Sequence, residues 1–160
     1  MEIRAEVVID TPAHSAWALI GDQFGEIGQW AAPIVHSSLD SPPGAGAVRT
    51  CQITSFGPFR AGSIKERLLQ FDPMAMTLMY ESAEGMPAFV SNAINRWSVH
   101  PQTASRCVVR THAILELRGP IRVVEALLRL QLQRNGARVL EELRYRVEHG
   151  RAHPRKLAAT

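Results

Sequence analysis

From residue 2 to residue 117 apolar side chains largely alternate with polar ones, whereas from residue 118 they return every third or fourth position. That change of period separates a run of strands from one closing helix. Ile3, Ala5, Val7 and Ile9 alternate with Arg4, Glu6 and Asp10, which predicts a half-buried strand over Glu2 to Asp10. Thr11-Pro12 then predicts a short helix, with the threonine hydroxyl as its cap and the proline in its first turn. Trp17, Leu19 and Ile20 form its buried side, and Gly21 ends it. A second short helix is predicted from Phe24 to Trp30, anchored by Phe24, Ile27 and Trp30.

Further strands are predicted at Ile34 to Leu39, Ala47 to Ser55, Ser63 to Phe71, Met76 to Ala83, Phe89 to His100 and Cys107 to Leu117. Breakers separate them: Ser41-Pro42-Pro43-Gly44, the stretch from Phe56 to Gly62, Asp72-Pro73, Glu84-Gly85-Met86-Pro87 and Pro101-Gln102. No helix-length segment intervenes, so strands adjacent in sequence are expected to be adjacent in an antiparallel meander.

The closing helix is predicted from Arg118 to about His149, with Gly119-Pro120 as its start signal. Ile121, Val124, Leu128, Leu132, Val139, Leu140, Leu143 and Val147 make one apolar stripe, and Arg122, Glu125, Arg129, Gln133, Arg144 and Glu148 the opposite face. A helix of that length is roughly 45 Å long and must bury its stripe against something, which the strands supply. The stripe weakens at Gln131, Arg134, Asn135, Gly136 and Arg138. A mid-helix glycine costs about 1 kcal/mol relative to alanine, so a packing or ligand reason is expected there. The half after the break is expected to clamp the core. The half before it, with Leu127, Leu128 and Gln131, is expected to roof a cavity.

Composition narrows the classes without choosing among them. At 160 residues, 46% hydrophobic and 21% charged, the chain fits one globular domain over residues 1–149, followed by a loose basic tail over 150–160. No apolar run is long enough to cross a bilayer and no leader pattern precedes the first strand, so a cytoplasmic location is expected. Two cysteines, Cys51 and Cys107, make no disulfide framework. The net charge of +3 comes with arginines concentrated in the last third. They read as a solvated helix face, with weak contact to anionic membrane as the sharper alternative. No aromatic residues interleave them, and no nucleic acid partner is expected.

The order strand, two short helices, six-strand meander and long helix carries a resemblance. So do Val7-Val8-Ile9-Asp10-Thr11-Pro12-Ala13 with Trp17-Ala18-Leu19-Ile20, then Gly46-Ala47-Val48-Arg49, then Glu66-Arg67-Leu68 with Phe71-Asp72-Pro73 and Tyr80, and finally Asn95-Arg96-Trp97-Ser98-Val99. Together they resemble the START-like or SRPBCC superfamily, and within it the polyketide cyclase/dehydrase group. The resemblance implies an α+β helix-grip fold: a curved seven-stranded antiparallel sheet around a long C-terminal helix, enclosing a cavity for an apolar or aromatic molecule. It does not choose between carriers and enzymes.

Setting strand phase from the first strand turns Arg49, Cys51, Asn95, Trp97 and Thr111 inward; Glu66 and Tyr80 are placed inward partly by the resemblance, because Lys65, Arg67 and Gln70 make alternation there imperfect. Arg49 and Glu66, on neighbouring strands, are expected to pair, since a buried charge without a partner is costly. They read either as a structural ion pair or as machinery in which Arg49 orients an enolate or carboxylate and Glu66 relays a proton. A carboxylate in an apolar pocket is suited to that work by a raised pKa. Tyr80 and Asn95 are candidates to hydrogen-bond a ligand, Trp97 and Thr111 to line the wall, and Trp30 to stand at the entrance. His36 joins them if its strand phase is inward. Cys51 is read as an inert small hydrophobe. His149 and His153 have helical ligand spacing but no third ligand, so neither a metal nor any other cofactor is expected. Two functions remain: a carrier of a hydrophobic or aromatic small molecule, acting as monomer or homodimer, and a cyclase closing a poly-β-keto precursor by aldol addition and dehydration.

Overall fold

The computed structural model describes residues 1–55, 60–119 and 125–159. The expected breaker turn falls largely, and the expected helix start at Pro120 wholly, outside the described residues. Seven strands are present: β1 (Glu2–Ile9), β2 (Ile34–Leu39), β3 (Val48–Ile53), β4 (Gly62–Asp72), β5 (Thr77–Glu84), β6 (Val90–Thr103) and β7 (Arg106–Leu117). They form one antiparallel sheet in the order β1-β7-β6-β5-β4-β3-β2. The first strand therefore closes onto the last, and all other neighbours follow chain order, as short turns between strands dictate.

Helix α1 (Ala13–Trp17) follows β1 and passes into a π-helical turn at Ala18–Asp22, then a 3₁₀ helix at Phe24–Gln29. Thr11 does not cap α1. Pro12 occupies that position, and the Thr11 hydroxyl is buried with no partner among the described residues. Nor does Gly21 stop the helix; a side chain there would meet the Trp17 indole at 2.3 Å, so glycine is needed for close approach. The turn after β6 also moves. Pro101 lies within the strand opposite Cys107 beside a bulge, and the chain reverses after Thr103.

Helix α2 (Glu125–His149) lies across the sheet and packs against β1 and α1. Its second half carries Leu140 and Leu143, both buried in the main core with Ile9, Trp17, Leu68 and Val109. In its first half Leu128 is buried, but Leu127 is 67% exposed, and Leu130 and Gln131 also face solvent. The described part of the basic tail, residues 150–159, is not uniformly loose. His153 caps a short helix α3 (Pro154–Ala158) by accepting the Arg155 amide on Nδ1. Arg155 Nε donates to Glu142 Oε1 at 3.1 Å, and Lys156 Nζ donates to the Ile34 carbonyl at 2.5 Å. Lys156 is buried, and that burial holds its ammonium below the usual lysine value despite the opposing pull of Glu142. Charge alone marked this segment as solvated; the carboxylates of α2 give the cations a place to dock.

Candidate functional site

Register decides which polar side chains meet. Arg49 on β3 is directly opposite Glu66 on β4, and Glu66 is opposite Ser82 on β5. Tyr80 pairs with Asn95, Leu78 with Trp97, and Trp97 with Thr111, which in turn pairs with Ala5. A period of two puts all of these on the face toward α2. All of them except Leu78 line a cavity of about 240 Å³ together with Cys51, Ile53, Ile64, Ala93 and Leu115 from the sheet. Ile27, Ala31, Pro33 and Ile34 close one side, Met86 another, and Leu132, Asn135, Gly136 and Val139 of α2 form the helix wall.

The ion pair is the chemical centre of this wall. Arg49 is 3% exposed, with Nη2 at 2.6 Å and Nε at 2.7 Å from the same Glu66 oxygen, Oε2. Its Nη1 donates to the Phe24 carbonyl at 2.8 Å, and the guanidinium sits 3.8 Å from the Phe24 ring centre and 5.2 Å from that of Tyr80. Burial works against its charge, but Glu66 and its other neighbours outweigh burial and hold Arg49 above its already high ordinary value. So engaged, Arg49 holds Glu66 in place, and its side chain is itself part of the cavity wall. Glu66 keeps its second oxygen, Oε1, without a partner among the described residues, and its side chain is 14% exposed toward the cavity.

Cys51 Sγ lies 3.5 Å from Glu66 Oε2. Burial, then the Glu66 charge, push its thiol up to about 12, far from the range of a nucleophile. The same two causes raise Tyr80, which therefore stays a phenol. Thr111 Oγ1 leans toward the Ala5 carbonyl at 3.4 Å.

Other expected positions lie elsewhere. His36 is exposed because a bulge between Ile34 and His36 shifts the phase of β2. Ser37 turns inward instead, accepting the Gly28 amide and donating to the Gly25 carbonyl. Trp30 is buried against Leu19, Ile20, Phe24 and Ile27 rather than at an entrance, with no partner for its indole nitrogen among the described residues. Leu127, Leu128 and Gln131 do not line the cavity; the helix wall begins a turn later, at Leu132. The sequence signal for that wall was the broken stripe at Asn135 and Gly136, residues not themselves taken as site candidates. A groove of about 710 Å³ crosses the outer sheet face beside Arg96 and Arg110, and its polar groups include solvent-exposed pairs such as Arg110–Glu6. Among the described residues no three His, Cys, Asp or Glu side chains gather as a metal site. No helix there is long and apolar enough to cross a membrane.

Residues 1–148 match a protein family described as polyketide cyclase / dehydrase and lipid transport. Solved structures of similar fold include a Thermobifida fusca protein, 27% identical over 95% of this chain and 97% of that one, with a TM-score of 0.67. The Zhui aromatase/cyclase of a Streptomyces species is 15% identical over 96% and 99% of the two chains, with a TM-score of 0.71. Norcoclaurine synthase from Thalictrum flavum, solved with dopamine and hydroxybenzaldehyde, is 16% identical over 89% and 85%, with a TM-score of 0.65. At such identities the last two likenesses concern the fold, which is the helix-grip architecture. No curated protein matches the chain by sequence.

Proposed function

Because this chain belongs to the polyketide cyclase / dehydrase and lipid transport family, we propose that it holds a hydrophobic or aromatic small molecule in the cavity between sheet and α2. The observation that carries this reading is the cavity itself, about 240 Å³ of mainly apolar wall with one charged acceptor, Glu66 Oε1, set into it. Apolar walls supply affinity and a few placed polar groups supply orientation. Glu66 selects a ligand with a hydroxyl to donate; Asn95 and Thr111 add weaker polar contacts, and Trp97 a flat surface.

The test is native mass spectrometry of protein purified from its own host, followed by titration with a naphthol probe. A retained apolar or aromatic species, or saturable probe binding lost in Ile64→Trp, supports the reading. An empty cavity that takes no naphthol overturns it.

A second reading, cyclase activity, is favoured by one detail: Arg49 fixes Oε2 of Glu66 and leaves Oε1 without a partner among the described residues, on a side chain that lines the cavity. A carboxylate so placed can take a proton from a methylene between two ketones. The resulting enolate closes the ring by forming the C–C bond to a further ketone of the same chain, whose oxygen takes up the proton, and loss of that hydroxyl with the remaining α-hydrogen as water leaves a C=C bond. Orientation and proton transfer are the two contributions the residues supply. If Glu66→Gln turns over a poly-β-keto substrate at the wild-type rate, the enzymatic reading falls and the binding reading stands.

A further inference from the structure

Asn135 and Gly136 occupy the middle of α2, where neither residue type favours helix. Glycine in a helix is usually explained by close packing or by an unusual backbone angle. Neither applies here. A Cβ built on Gly136 meets no described heavy atom within 4 Å, and Gly136 is not among the glycines with positive φ. What the missing side chain does is bare a strip of helix backbone to the cavity, between Leu132 and Val139. Beside it, the Asn135 amide nitrogen is buried with no hydrogen-bond partner among the described residues. Buried donors are nearly always paired, so a donor left over on a cavity wall marks a place for an acceptor. The sheet wall offers the converse, the spare acceptor oxygen of Glu66.

We infer that Asn135 and Gly136 are the specificity-determining residues of the site, and that its ligand is a planar hydroxy-carbonyl compound. The carbonyl oxygen accepts from Asn135, the hydroxyl donates to Glu66, and the edge of the ring lies against the bare backbone at Gly136. This rests on the ligand-binding reading above and adds a chemical class to it: aromatic or enolic molecules bearing oxygen at both ends, in preference to plain hydrocarbons or fatty acyl chains.

Two probes with one ring system test it, 6-acetyl-2-naphthol and 2-naphthol, titrated by fluorescence into wild type, Asn135→Leu, Asn135→Ala and Gly136→Leu. Wild type is expected to bind the acetyl compound about tenfold more tightly, the value of one hydrogen bond. Asn135→Leu and Asn135→Ala should abolish that preference while leaving 2-naphthol within about twofold. Gly136→Leu should weaken both probes more than about tenfold without lowering Tm, because leucine favours helix more than glycine does. A purely structural role would move Tm and both probes together. Equal losses for both probes at position 135, or an unchanged Gly136→Leu, overturn the inference while the binding reading survives. Failure of the wild type to bind either probe overturns both.

Discussion

Glu66 on the sheet and Glu142 on α2 are both withdrawn from water and both meet an arginine, yet they differ in what is left over. Glu142 is 2% exposed and spends each oxygen: Oε1 accepts Arg155 Nε at 3.1 Å, and Oε2 accepts the Ala32 amide at 2.8 Å. Arg155 in turn reaches Glu141 Oε2 at 2.5 Å, and Lys156 adds a buried cation nearby. That network ties three separate stretches together: the end of the 3₁₀ region, α2 and α3. Glu66 instead has both its arginine contacts on one oxygen, no partner among the described residues on the other, and a place in the cavity wall. A buried carboxylate with both oxygens engaged is a fastener. One with an unanswered oxygen at a cavity wall is available for recognition or proton transfer.

The sharpest way to break the contrast is to remove both carboxylates in turn and read stability. Glu142→Ala takes the counter-charge from Lys156 and Arg155 and the acceptor from Ala32. Loss of one member of a buried ionic network costs about 3–5 kcal/mol, and chemical denaturation should show it. Glu66→Gln keeps the shape and one acceptor for Arg49 but not the charge. It is expected to cost about 1.5–3 kcal/mol, the range for a hydrogen bond to a charged group, while naphthol affinity falls. If Glu66→Gln is the more destabilising of the two, Glu66 is the fastener and the comparison is reversed.

A smaller effect sharpens the same point through Cys51, the thiol beside Glu66. Its pKa of about 12 against the usual 9.0 means the folded protein keeps a proton that the unfolded chain releases near 9.0. Its contribution to stability is therefore whole below about pH 9 and is lost as pH climbs toward 12. Alkylation of Cys51 should keep accelerating with pH beyond 9, where an ordinary thiol levels off. In Glu66→Gln the profile should shift to lower pH, since Glu66 is the second cause of the rise after burial. An unmoved profile would show that burial alone sets it.

Much of this arrangement was legible before any coordinates. Strand alternation put Arg49, Cys51, Asn95, Trp97 and Thr111 on one face, because side-chain direction in a strand has a period of two and needs no knowledge of partners; Glu66 and Tyr80, on strands whose alternation is broken by Lys65, Arg67 and Gln70, needed the family resemblance as well. Alternation left His36 open, and there a bulge shifts the phase and turns the side chain out. Sequence also marked the break in α2 at Asn135 and Gly136 without saying what lay beneath it. Leu127, Leu128 and Gln131 were misplaced because an apolar stripe gives a helix face, not the height at which that face meets the sheet.

The division follows from the range of the forces involved. Element type and the pairing of strands adjacent in the chain are local or near-neighbour properties, set by periodicity and by short turns, and the sequence by itself determined most of them; the closure of β1 onto β7 and the phase of β2 are not of that kind. Which oxygen of Glu66 stays free, which turn of α2 overlies the cavity, and whether a basic tail docks onto Glu141 and Glu142 depend on residues far apart in the chain. Only the tertiary structure decided those, because hydrogen bonds and ion pairs act over a few ångströms and no pattern along the chain specifies such distances.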